Sequence, residues 1–170
     1  MGNKTSQLNF IDLTYAGNLL AFLPGGQSSL TLNYSTRVNV TNSTSSIAGV
    51  SVTVRDSNNS QAANTTTEAN GLTQFFNLTA FNFINDVSYN FTPHNFTASK
   101  TGFAANSTNF SVNAPFQTFS LVLAQADNTS PVISNVSATP NPVRRGQYIT
   151  IKTKVTDDSG VNKSNVLAHF

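Results

Sequence analysis

The chain contains no cysteine and no tryptophan, and only 9% of its 170 residues are charged. The missing thiols exclude thiolate metal sites and thiol catalysis. They do not exclude an exported domain, because a core of this size holds without disulfides. Histidine occurs only at 94 and 169, and the acids are Asp12, Asp56, Glu68, Asp86, Asp127, Asp157 and Asp158. Neither histidine stands near a serine and an acid in a nucleophile arrangement. No glycine loop that would cradle a phosphate is present either, so the chain reads as non-enzymatic. His94, between Pro93 and an acceptor motif, is expected to be an exposed loop residue. Asp157, Asp158 and Ser159 could give a few oxygens to calcium, but such a site needs six or more, and a turn explains them better. No cofactor or metal is expected. Lys100 and Glu68 lack the surroundings of an intramolecular amide cross-link.

The formal charge is +2. Arg144 and Arg145, with Lys152 and Lys154 nearby, fit exposed faces beside a turn, not a nucleic-acid footprint. No run approaches the ~20 apolar residues of a membrane helix. Met1-Gly2-Asn3-Lys4 leads into polar sequence without a signal-peptide pattern, so an exported chain would be a mature or excised form.

Hydroxyls and amides replace the missing charge: 20 Ser, 22 Thr and 23 Asn. They are arranged informatively. Asn-x-Ser/Thr, the acceptor pattern for N-glycans, occurs fourteen times. The sites are Asn3, Asn33, Asn39, Asn42, Asn58, Asn64, Asn77, Asn90, Asn95, Asn106, Asn109, Asn128, Asn135 and Asn162. Chance at this composition gives about six. Covalent N-glycans are therefore expected at several of them. Asn77 follows two phenylalanines and is expected to be partly buried.

Hydrophobic periodicity is two almost throughout. Leu30, Leu32, Tyr34, Val38 and Val40 alternate with Thr31, Asn33, Ser35, Arg37 and Asn39, the pattern of a half-buried antiparallel strand. Val50, Val52 and Val54 form a second strand, ended by the turn residues Asp56 to Ser60. Asn70-Gly71 predicts a hairpin with a return strand over 72–78. Residues 79–93 read as a looser Phe- and Asn-rich stretch. Short strands follow over 96–100, 106–112 and 117–124, the last with Phe119, Leu121 and Leu123 on one face. Among the thirteen phenylalanines, Phe75, Phe76, Phe81 and Phe83 cannot all face one side of a regular strand, so some are expected to form an apolar patch. Residues 126–130 read as a linker. Beyond it, Val136 and Ala138 suggest one strand, Ile149, Ile151 and Val155 another, and 161–170 a third. The fold class is all-β, with tandem β-sandwiches, the second incomplete.

Residues 30–125 resemble the carboxypeptidase-regulatory-like domain, a transthyretin-like sandwich. The resemblance rests on Ala48 to Val54, Thr67 to Leu72 before Phe75, Phe96 to Phe103 with its Lys-x-Gly-aromatic run, and the closing Phe119 to Leu123. Residues 131–170 are similar to the first strands of a bacterial- or archaeal-type Ig-like module, through Pro131 to Ile133, Pro140 to Val143, Gly146 and Val155 to Val161. Dense acceptor motifs without cysteine resemble archaeal surface proteins. These resemblances imply a scaffold or spacer at the cell surface.

An Ig-like sandwich needs about seven strands, and 131–170 supplies three. Residues 1–29 hold strand-like runs, 8–15 and 19–23, beyond the first sandwich's needs. Two readings follow. Either the sequence is a piece of a longer protein, or this N-terminal strand-forming segment of one copy completes the C-terminal half-domain of another, head to tail. Three functions stay open: a glycoprotein subunit of a surface layer (S-layer) or extracellular filament, an adhesin that binds glycans, and a spacer of a secreted hydrolase. Partners are expected to be further copies or other surface-layer subunits, with no nucleic acid and no transmembrane segment.

Overall fold

The computed structural model describes residues 6–14, 28–85, 87–139, 141–142, 144–146 and 148–157. The fold is all-β, with no helix among the described residues. The chain divides into two compact units, Met1–Ala126 and Asp127–Phe170.

The first unit is a sandwich of two sheets. One holds β1 (Ser6–Ile11), β2 (Ser28–Thr41), β5 (Phe76–Ile84), β6 (Val87–Asn90) and β9 (Gln117–Val122). The other runs β4 (Gln61–Thr66), β3 (Ser51–Arg55), β7 (His94–Ser99), β8 (Asn106–Phe110). β2 is the spine of the first sheet. Its even-numbered residues from Leu30 to Val40 are all buried, so the alternation read from the sequence is the alternation that packs. Across from it stand Val52 and Val54 of β3 and Phe96 and Ala98 of β7, all at 0% exposure. Phe119 and Leu121 of β9, with Leu123, close the core. Each such Val, Leu or Phe contributes about 1.5–3 kcal/mol by leaving water.

The edge of β2 is shared. β1 pairs in parallel with residues 28–33, and β9 pairs in parallel with residues 36–41. β5 and the bridge from Leu72 to Asn39 occupy the opposite side of β2. β1 and β9 therefore lie end to end along one edge. Asp12 joins the two stretches: its carboxylate accepts the N–H and the hydroxyl of Ser35, both at 2.6 Å. Phe10 and Leu13 pack on the core. The strand-forming run near the N-terminus, set apart from the sandwich on sequence grounds, thus belongs to it. The run at 19–23 lies outside the described residues.

Two further segments differ from expectation. The Asn70-Gly71 turn closes tightly, with Gly71 N–H donating to Glu68 O, but no hairpin return strand follows. The chain instead passes to the other sheet, where Thr73 N–H donates to Val38 O before β5 begins at Phe76. Gly71 has φ +77°, and a Cβ there would meet Val40 O at 2.7 Å, so only glycine lets the two sheets connect here. Residues 79–93, expected to be loose, carry the β5–β6 hairpin. A bulge explains the crowding of phenylalanines. Leu32 pairs with Phe81 and Asn33 with Thr79, so Ala80 is the extra residue and the alternation of β5 changes phase. Phe76 and Phe81 then both pack on the core. Phe83 lies opposite Leu30, and Phe75 precedes the strand and remains exposed.

The second unit contains β10 (Val132–Thr139) and β11 (Thr150–Thr156), paired antiparallel with a bulge between Ser134 and Ser137. Val132, Ile133, Val136, Ile149 and Ile151 are exposed. The third strand expected over 161–170 lies outside the described residues, as do Asp158, Ser159 and His169.

Candidate glycan acceptor surface

Of the fourteen acceptor asparagines, Asn3 and Asn162 fall outside the described residues, and none of the other twelve is buried. Asn42, Asn58, Asn64, Asn77, Asn90, Asn109, Asn128 and Asn135 are exposed, and Asn33, Asn39, Asn95 and Asn106 are half-buried. Asn77, expected to be partly covered, is exposed because Leu78 and Ala80 take the inward positions of β5.

Strand alternation places these side chains. With Val52, Val54, Phe96 and Ala98 turned inward, Thr53, Arg55, Asn95 and Thr97 must turn outward. Cross-strand pairing then aligns Asn64, Thr53, Thr97 and Ser107 in one row and Arg55, Asn95 and Asn109 in the next. The outer face of the β4-β3-β7-β8 sheet is a field of amides and hydroxyls. Asn33 and Asn39 occupy the outward positions of β2 in the same way. Turns carry others. The Oδ1 of Asn42 accepts the N–H groups of Thr44 and Ser45 and the Thr44 hydroxyl, while the Oδ1 of Asn90 accepts the N–H of Thr92. Both arrangements use the oxygen and leave the amide nitrogen, the atom a glycan attaches to, pointing away.

The nitrogens divide the twelve into two classes. Asn33 Nδ2 donates to Asn9 Oδ1 at 2.7 Å and to Phe10 O on β1. Asn95 Nδ2 donates to Asn109 Oδ1 at 2.8 Å, and Asn106 Nδ2 donates to Val122 O at 2.9 Å. A sugar on any of these three would press on the strand that accepts the bond. The other nine nitrogens hold no bond within the described residues.

No family model matches the chain, and no curated protein matches it in sequence.

Two features went unread in the sequence. His94 is not an exposed loop residue but the first residue of β7, with no solvent exposure. It stands in phase with Phe96 and Ala98, and extending their alternation by one step would have found it. Neither of its ring nitrogens has a hydrogen-bond partner among the described residues. Burial pushes its pKa below the ordinary 6.5, and the nearby negative charge of Asp56 opposes this in part. A cleft of about 160 Å³, lined by His94, Asp56, Ala62, Asn77, Thr79 and Phe91, lies beside it. The second feature is an exposed aromatic pair, Phe75 and Phe116, next to Arg37. Lys100 and Glu68 do not meet: Lys100 donates to Ala48 O at 2.5 Å, and Glu68 accepts from Gln74. Among the described residues, no three His, Cys, Asp or Glu side chains converge to hold a metal ion, and no helix is long and apolar enough to cross a membrane.

Proposed function

We propose that this chain is a non-enzymatic structural glycoprotein of the cell surface, part of an extracellular surface layer or filament. The carrying observation is the placement of the acceptor asparagines. An amino-acid pattern in excess of chance coincides with a fold that buries none of the twelve described. A surface with so few charges needs another source of hydration and of resistance to association, and glycans supply both. In this reading the first unit is a carboxypeptidase-regulatory-like sandwich and the second the beginning of an Ig-like module, strung together as a spacer. Further copies, or other surface-layer subunits, are the partners. The exposed Ile133 and Ile151, on one face of the β10–β11 ladder, support an assembly role, because an apolar strand face of this kind favours association with another chain.

Glycopeptide mass spectrometry of the protein from its native source tests the proposal. Glycans are expected on the nine asparagines with uncommitted nitrogens, and low occupancy at Asn33, Asn95 and Asn106. Bare asparagine at all fourteen motifs would overturn it. Electron microscopy of the undenatured material tests assembly: filaments or sheets are expected, and dispersed monomers would remove the polymer part of the reading.

A further inference from the structure

Arg37 occupies an outward position of β2, opposite Thr118 of β9. Its Nε donates to Thr118 Oγ1 at 3.0 Å, and its guanidinium carbon lies 4.8 Å from the centre of the Phe75 ring. These two contacts fix the head group. Its terminal nitrogens have no acceptor among the described residues, and no carboxylate pairs with it there. A guanidinium presents two parallel N–H groups to a carboxylate, so Arg37 is an oriented and vacant half of a fork-to-fork pair.

Phe75 is 44% exposed and Phe116 is 65% exposed, and their rings meet edge to face at 5.7 Å. Phe116 has φ +54°, a conformation that a bulky residue adopts only under constraint. The constraint is visible. Gln117 Oε1 accepts the N–H groups of Asn113 and Ala114, and its Nε2 donates to Asn113 Oδ1. One side chain thus pins the loop that pushes an aromatic ring into water. The edge-to-face contact with Phe75 still leaves the Phe116 ring largely exposed. Rigid aromatic rings beside an arginine are the residues that dominate recognition sites.

We propose that Arg37, Phe75 and Phe116 bind a carboxylate-bearing sugar carried by another molecule. The C–H face of a pyranose lies on the aromatic rings, its carboxylate pairs with Arg37, and its hydroxyls meet the Thr118 hydroxyl on the same sheet face. One guanidinium on an open platform matches one carboxylate per ring. An acidic peptide would add to the outer edge of β9, unpaired among the described residues, in the plane of the sheet, where it would not lie over the guanidinium on the sheet face.

The test uses the full chain made in a host without N-glycosylation, so that its own glycans are absent. Amide chemical shifts are followed while a hyaluronan hexasaccharide, which alternates glucuronate and N-acetylglucosamine, is added. Shifts are expected around residues 36–39, 75–76 and 116–119, and neutral chitohexaose should bind far more weakly. Arg37→Gln should weaken hyaluronan binding about tenfold. Phe116→Gly should weaken it comparably while leaving the melting temperature unchanged or higher, because glycine accepts the positive φ without strain. The proposal is overturned by any of four results: no shift at these residues at millimolar sugar, equal binding of chitohexaose with Arg37→Gln unchanged, hexaglutamate binding as tightly as hyaluronan, or a melting temperature several degrees lower in Phe116→Gly.

Discussion

The imidazole of His94 brings two polar nitrogens to a place where no described residue pairs with either. A neutral imidazole has one donor and one acceptor. Leaving a buried polar group unsatisfied costs about 1–3 kcal/mol. Leucine at this position keeps most of the volume and removes the unmet nitrogens, and the adjoining cleft of about 160 Å³ gives it room to settle. His94→Leu is therefore expected to stabilise the sandwich by about 1–3 kcal/mol, or roughly 2–4 °C in melting temperature per kcal/mol. The pH dependence gives a sharper reading. Burial lowers the pKa of His94 below 6.5, so the unfolded chain takes up this proton first as pH falls. The stability associated with neutral His94 is fully present above pH 6.5, the unfolded value. It is lost as pH drops from there toward the folded pKa, by up to about 1.4 kcal/mol per pH unit. Urea denaturation of wild type and variant at a series of pH values from about 7.5 to 5 measures both effects, and the difference between the two curves isolates His94 from the carboxylates. The gap should widen steadily on acidification. Parallel curves, or a variant less stable than wild type at pH 7.5, would refute the reasoning, the latter by showing that water in the cleft already satisfies the ring.

Other outcomes follow from single contacts. Gly71→Ala places a methyl group 2.7 Å from Val40 O at a left-handed φ, and should cost at least about 1–3 kcal/mol in a thermal melt; an unchanged melting temperature would mean that the turn can move away from β2. Asp12→Ala removes two 2.6 Å bonds to Ser35, and hydrogen exchange should accelerate across residues 8–12 and 28–33 but not across β9. Uniform acceleration in β9 as well would show that the two stretches of the β2 edge are not separable. Leu121→Ala empties a fully buried site of the core and should cost about 2–5 kcal/mol by denaturant titration; a loss below 1 kcal/mol would mean that the sheets collapse onto the gap.

The parts of the fold that were legible in the sequence are those where one rule acts alone. β3 alternates strictly between apolar and polar residues, and β2 and β9 do so except at the buried Ser35 and Thr36 and the exposed Val122, so most of their buried residues are the ones the period predicts. Legibility failed where a second constraint intervened. Phe81 and Phe83 looked out of phase with Leu78 until the bulge at Ala80 changed the phase of β5. His94 was hidden by its neighbours, since proline before it and an acceptor motif after it both signal a loop. β1 was legible as a strand-like run, but its place in the sandwich was not, because parallel pairing leaves no turn signal in the sequence and the half of the β2 edge that it fills exists only in three dimensions. The acceptor asparagines were legible as a pattern, but their division by nitrogen commitment was not, because it depends on which strand lies across from each one. Phe75 and Phe116 are forty-one positions apart and meet because β5 and β9, which they precede, pair with β2 from opposite sides.

That shared edge also decides how the sandwich bears load. β1 begins at Ser6 beside the start of β2, and β9 ends at Val122 beside its far end, both running in the direction of β2. A pull applied between Ser6 and Val122 therefore acts along the strands. It slides β1 and β9 past β2 in opposite senses and stresses all the bonds of each ladder together, where a pull across the strands would open them one at a time. The unit is built as a lap joint, with β2 as the plate to which both ends are fastened. Its resistance depends on the direction of pull, and single-molecule stretching between Ser6 and Val122 should meet a far higher force than peeling β1 away from the side.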